Sequence, residues 1–165
     1  MKEIQKILKE KNIKYYIVPT SDDHQSEMIG DFYQFRAYLS HFTGSAGTLL
    51  IGQEDAYLWT DGRYFLQAEA QLPDDIKLMK MRMPGVPTLL EFLAEHLEEN
   101  DVLGFNGEVM QASFILDLED ALDFDLKFAD IDLSYVWKNR PERSHQPVYL
   151  YDNQYNGLDY QVKLE

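Results

Sequence analysis

Trp59-Thr60-Asp61-Gly62-Arg63-Tyr64-Phe65 is the stretch where reactive side chains and a structural boundary coincide. A β-rich run ends at Thr60, and a helix is expected to begin near Gly62. Ligands collect at the ends of strands in α/β folds. Arg63 carries the planar fork that grips a carboxylate or a carbonyl. Two readings are open: Arg63 faces a ligand, or it is tied internally to Asp61 or another acid. Spacing alone favours the internal pair. Gly44-Ser45-Ala46-Gly47 places a hydroxyl among glycines. It is not GxSxG, and a strand rather than a helix follows it, so it is no nucleophile elbow. It also lacks the lysine of a phosphate cradle. Its glycines suit a tight turn or a close backbone approach.

Metal ligation has few candidates. The histidines are His24, His41, His96 and His145; no two sit four apart, and there is no HExxH. Asp22-Asp23-His24 offers oxygen and nitrogen donors, but adjacent residues on a turn rarely converge on one ion. A polar loop bonding its own backbone is the stronger reading. Residues 95–132 hold twelve acids against one base, Lys127, and so supply −11 of the net −14. That segment lacks the spaced oxygens and closing glutamate of an EF-hand. It reads as a solvated acidic face. A surface this negative repels phosphate backbones and anionic lipid, which argues against nucleic acid as a partner. There are no cysteines, hence no disulfides, thiolate metal sites or cysteine nucleophiles. No apolar run approaches the ~20 residues of a membrane span, and Met1–Lys6 lacks the order of a signal peptide. A cytoplasmic location fits.

The elements that must position these groups alternate along the chain. Ile4, Ile7 and Leu8 share one side of a short helix over residues 2–11, which Asn12 ends. Tyr15–Val18 is a continuous apolar strand, suited to cover on both faces. Residues 20–31 are turn-like, and Phe32–Leu39 is a helix with aromatics inward. Thr48–Ile51 and Ala56–Thr60 form a hairpin across a short link. A helix over Gly62–Gln71 precedes Pro73, and Ile76–Met81 is a further strand with mixed alternation. Thr88 and Glu91 have capping-box spacing, opening a helix with a Leu89, Leu90, Leu93 and Leu97 stripe. A strand at Val102–Phe105, a helix over 111–122 with Ile115, Leu118 and Leu122 inward, a strand at Leu126–Ala129 and a short helix at Ile131–Trp137 complete the pattern. Residues 139–147, with two prolines and little to bury, read as a linker. Tyr149, Tyr151, Tyr155 and Tyr160 then follow a domain already complete. The expected organisation is one α/β domain over 1–138, then a linker and the start of a second domain over 139–165.

Several stretches resemble, in order, the N-terminal domain of Xaa-Pro aminopeptidases (aminopeptidase P) in the creatinase/prolidase family. They are Ser21–Glu27, Phe42-Thr43-Gly44-Ser45-Ala46-Gly47-Thr48, Trp59–Ala68, and Trp137-Lys138-Asn139-Arg140-Pro141. The acidic region matches weakly. Tyr155-Asn156-Gly157-Leu158 and Lys163 are similar to the opening of the family's middle domain. The resemblance implies an α/β fold with a mixed β-sheet flanked by helices, of ribonuclease H-like topology. It further implies that catalysis belongs to a C-terminal domain with two divalent metal ions, usually manganese, held by two Asp, one His and two Glu. None of those ligands has a matching position here, so this portion alone is expected to be inert, with no catalytic residue or metal ligand of its own. The implied substrates are peptides with proline in second position, and the implied assembly is a homodimer. Arg63 matches the arginine of the family's Asp-Gly-Arg-Tyr motif, which implies a substrate-binding or cleft-shaping role. Phe42 and Arg36 are expected to serve packing and loop support.

Two other functions compete. Pita-bread relatives that have lost their metals bind proteins or peptides, so a non-enzymatic binding module is one. A self-contained acidic α/β protein is the other, and the unpartnered tyrosines argue against it.

Overall fold

The computed structural model describes residues 1–147 and 149–165. Its centre is one six-stranded sheet: β1 (Tyr15–Pro19), β2 (Thr48–Gly52), β3 (Ala56–Thr60), β4 (Lys77–Lys80), β5 (Val102–Phe105) and β6 (Lys127–Asp130). The spatial order is β4-β3-β2-β1-β5-β6. β2 runs antiparallel to β1 and β3, while β1–β5, β3–β4 and β5–β6 pair in parallel. This is the mixed α/β sheet that the resemblance implies.

Alternation along the strands sorts side chains onto two covered faces. Tyr16, Val18, Leu49, Ile51 and Leu58 point to one face, where α1 (Lys2–Glu10), α2 (Phe35–Ser40) and α3 (Phe65–Gln71) supply Ile4, Leu8, Leu39 and Ala68. Tyr15, Ile17, Leu50, Trp59 and Leu103 point to the other, under α4 (Leu89–His96) and α5 (Ala112–Asp120). Burial on both faces explains why β1 carries no polar residue from Tyr15 to Val18. β4 closes one edge of the sheet, and its Lys77 is exposed while Lys80 pairs with Glu69 at 2.5 Å. Charged side chains of this kind discourage edge-to-edge pairing.

The hairpin, the Thr88–Glu91 capping box and the turn at Asn12 (φ 55°) are as the sequence predicts. Four expectations need correction. The expected helix at 62–71 begins only at Phe65, because the Asp61 carboxylate accepts the Arg63 backbone N–H at 3.0 Å and Tyr64 N–H bonds Asp61 O. A side chain that captures a nearby amide competes with the helix. The expected helix at 131–137 is one 3-10 turn at Ser134–Val136, for the same reason: Asp132 accepts from Ser134 N at 2.8 Å. Residues 32–39 split into a 3-10 turn (Asp31–Tyr33) and α2. In α4, Phe92 and Leu93 are the buried pair, and Leu89 and Leu90 are only half-buried.

The terminal segment carries a 3-10 turn at Asn153–Tyr155 and α6 (Tyr160–Leu164). Tyr149, Tyr151, Tyr155 and Tyr160 are all exposed and join neither core. Among the described residues no helix is long and apolar enough to cross a membrane.

Candidate functional site at the strand ends

One end of the sheet gathers the chemistry. β1, β3 and β5 finish there and β2 starts there, so Pro19–Ser21, Ala46–Thr48, Trp59 and the segment after Phe105 converge. Between them lies a cavity of about 400 Å³. Trp59, Met81, Leu89, Met110 and Phe114 supply apolar lining, and Ser21, Gln25, Ser26, Glu27 and Ser45 the polar part. Arg63 stands at its rim. A mostly apolar concavity with a few polar groups is the usual form of a small-ligand or side-chain site.

Two arginines organise this end. Arg36, on α2, is 2% exposed. Its Nε donates to Thr20 Oγ1 at 2.7 Å, Nη1 to Phe42 O at 2.9 Å and Nη2 to Gly44 O at 2.5 Å. The guanidinium also sits 4.8 Å from the Phe42 ring centroid. Burial lowers its pKa to about 10, because desolvation penalises the charged form. These bonds fix the loop from Phe42 to Gly47. Thr20 Oγ1, donating to Gly47 O, and Thr60 Oγ1, donating to Ala46 O, both at 2.7 Å, seat the same loop on the sheet. A Cβ on Gly44 would meet Phe42 Cζ at 2.3 Å, and one on Gly47 the Trp59 carbonyl at 3.1 Å. Close approach is thus the reason for both glycines. Ser45 Oγ is 2.7 Å from the Tyr64 hydroxyl, with no imidazole bonded to it, so it has no activating base.

Arg63 is arranged differently. Its side chain is 65% exposed and forms a two-pronged pair with Asp61, Nε to Oδ1 at 2.9 Å and Nη2 to Oδ2 at 2.8 Å. Hydrogen bonding from Arg63 is the main cause that brings the Asp61 carboxyl down to about 2. Arg82, itself at φ 66°, adds to that field, while Glu27 acts on Arg63. The internal pair is therefore formed, yet it uses two of the five guanidinium N–H groups. The rest remain available at the cavity rim.

Asp22, Asp23 and His24 bring donor atoms within 4.8 Å of one another, the one such cluster among the described residues. Asp22 Oδ1 already accepts from His24 N and Ser26 N, both at 2.9 Å, and Asp23 accepts from Arg143. Three consecutive residues engaged in this way do not fit a two-metal centre of five protein ligands. The lining residues Trp59, Met81, Met110 and Phe114 were not predicted. Trp59 stood next to Thr60-Asp61 in sequence, but Met81 comes from the end of β4 and Met110 and Phe114 from around the start of α5, and only the sheet unites them.

Comparison with known proteins agrees with the architecture. The profile of the Creatinase/Prolidase N-terminal domain matches residues 1–137. Aminopeptidase P2 of Arabidopsis thaliana is 40% identical over 158 residues, covering 92% of this chain and 22% of that protein. The crystal structure of X-prolyl aminopeptidase from Caenorhabditis elegans, described as a cytosolic enzyme with a di-nuclear active site, superposes with a TM-score of 0.77 at 31% identity. It covers 92% of this chain and 26% of that one. The N-terminal domain of the cytoplasmic peptidase PepQ from Mycobacterium tuberculosis gives a TM-score of 0.56 at 27% identity, over 78% of this chain and 90% of that domain. The chain thus spans about a quarter of the length of its full-length relatives. With the six-stranded mixed sheet and a profile match over residues 1–137, this chain belongs to the creatinase/prolidase N-terminal domain family.

Proposed function

We propose that this chain is the non-catalytic amino-terminal domain of a metal-dependent Xaa-Pro aminopeptidase, an enzyme that removes the residue preceding a proline. The similarity to Aminopeptidase P2, 40% over 92% of this chain, carries the reading. In that reading residues 1–138 form the domain, and residues 139–165 lead into a second one. Catalysis belongs to a further domain with two divalent ions, manganese being the proposed metal, which when bound supply an activated water. The enzyme is a cytoplasmic homodimer acting on peptides with proline in second position.

This domain's part is to shape the cleft. Arg63 is the proposed substrate-side group. Asp61 holds its fork in one orientation, so less rotamer entropy is lost when the unused N–H groups meet a peptide carbonyl or carboxylate. The C-terminal end of β3 supplies the position and the Asp61 turn supplies the aim.

The test compares the 165-residue chain with a polypeptide extended to the full length of its relatives, each with manganese and an X-Pro peptide. Release of the first residue is expected from the longer protein only. Turnover by the 165-residue chain alone would overturn the reading. In the longer protein Arg63→Gln is expected to raise KM several-fold with a smaller change in kcat, and an unchanged KM would remove Arg63 from the substrate side.

A further inference from the structure

The segment that leaves the domain is bound to the loop that carries one wall of the cavity. Arg140 is 20% exposed in its side chain; its Nε donates to Phe32 O at 2.8 Å and its guanidinium lies 3.5 Å from the Phe32 ring centroid. Its Nη1 donates to Ser134 Oγ, with Asp132 Oδ2 3.6 Å away. Pro141 borders a groove with Tyr38 and Trp137, whose rings stack at 4.7 Å. Arg143 then reaches Asp23 and lies 5.6 Å from the Tyr33 ring centroid. These contacts join residues 108 and 120 positions apart. The contacts with Phe32, Asp23 and Tyr33 fall on the loop from residue 20 to 33, whose first part supplies Ser21, Gln25, Ser26 and Glu27 to the cavity.

That loop has no strand or helix of its own before Asp31. Its order comes from side chains. Asp22 Oδ1 folds it by accepting from His24 N and Ser26 N, and on the far side Gln25 Nε2 donates to Val109 O at 3.2 Å. Val109 and Gln25 both line the cavity. The wall is thus fastened at two ends, to the segment after β5 and to the exit segment. Cutting one fastening leaves a polar loop whose backbone is paid for by little else.

We infer that Arg140 and Arg143 form a strap that positions the Ser21–Glu27 wall, so that the shape of the cavity and the path of the chain leaving the domain are coupled. They are positioning residues and touch no ligand. Coupling of this kind is reciprocal: whatever orders the wall also steadies residues 140–143, and a pull on the exit loosens the wall.

The 165-residue chain tests it by hydrogen exchange and by ¹⁹F NMR of 5-fluorotryptophan, which reports separately on Trp59 in the cavity and Trp137 at the strap. Arg143→Ala is expected to speed exchange of the His24 and Ser26 amides about two- to five-fold, the range of an exposed ion pair. Leu50 and Leu58 amides in the sheet should stay at their original rates. The Trp59 resonance should shift, and the exchanged pair Asp23→Arg with Arg143→Asp should bring both signals back. Arg140→Lys, which keeps the charge and loses the fork, is expected to give a larger loop effect, about tenfold. Unchanged His24 and Ser26 amides, a uniform rise that includes the sheet, or a Trp59 signal indifferent to all three variants would each overturn the strap.

Discussion

Arg36 and Arg63 stand at the same end of the sheet and are built on opposite principles. Arg36 is almost wholly buried, and among the described residues no carboxylate lies within ion-pair distance of it. Its charge is met by two carbonyls, a hydroxyl and an aromatic face. Arg63 is mostly in solvent and has a complete carboxylate partner in Asp61. Strength does not follow the formal charges. In solvent a pair is screened and adds little to stability. In the interior, dipoles aimed at a cation cannot be replaced by water, so removing the cation strands them. Arg36 therefore holds the Phe42–Gly47 loop, whereas Arg63 is oriented by Asp61 at the cavity rim with N–H groups outside that pair.

Arg36→Met should break this contrast most strongly. It strands the Phe42 and Gly44 carbonyls while relieving the burial of a charge, for a net loss of about 2–4 kcal/mol in urea unfolding. Arg36→Lys should recover only part of that, because one ammonium cannot reach three acceptors in a plane. A loss in Arg36→Met no larger than that of an exposed substitution would show that the carbonyls find other partners. Gly44→Ala places a methyl against the Phe42 and Tyr64 rings and should cost about 1–3 kcal/mol. Arg63→Gln, by contrast, should lower the urea midpoint at neutral pH only slightly, by the small amount an exposed pair contributes.

The smallest effect is also the most specific. The Asp61 carboxyl, at about 2 beside Arg63, should return toward 3.8 in Arg63→Gln, read from the carboxyl carbon resonance. The sign follows from linkage: a carboxyl lowered in the folded state contributes stability above its unfolded value, lost as pH falls from about 4 toward 2. The original chain should show that extra acid sensitivity and the variant should lack it. An Asp61 titration that ignores the substitution would mean the two-pronged pair does not persist in solution.

Legibility varied with the range of the interaction. The apolar run of β1, the hairpin and the Thr88 capping box were readable because neighbours in sequence enforce them. The starts of α3 and of the 3-10 turn at Ser134 were misplaced because Asp61 and Asp132 capture amides two residues on, a competition that periodicity does not register. Arg63 could be singled out but not assigned: its spacing from Asp61 permitted both a ligand contact and the internal pair, and the structure shows the pair with donors to spare. Residues 139–147 read as a plain linker, yet Arg140 and Arg143 anchor their beginning on Phe32 and Asp23.

The order of residues alone determined the α/β class and the cover of β1 on both faces, since these depend on hydrophobic patterning and on short-range backbone chemistry, and it carries the motifs of the family resemblance. Tertiary structure decided what each motif touches. Arg36 lies 16 residues from Thr20, and Arg143 lies 120 from Asp23. Their roles arise only when the folded sheet brings distant loops to one end, because hydrogen bonds and charges act across a few ångströms of space regardless of the chain between them.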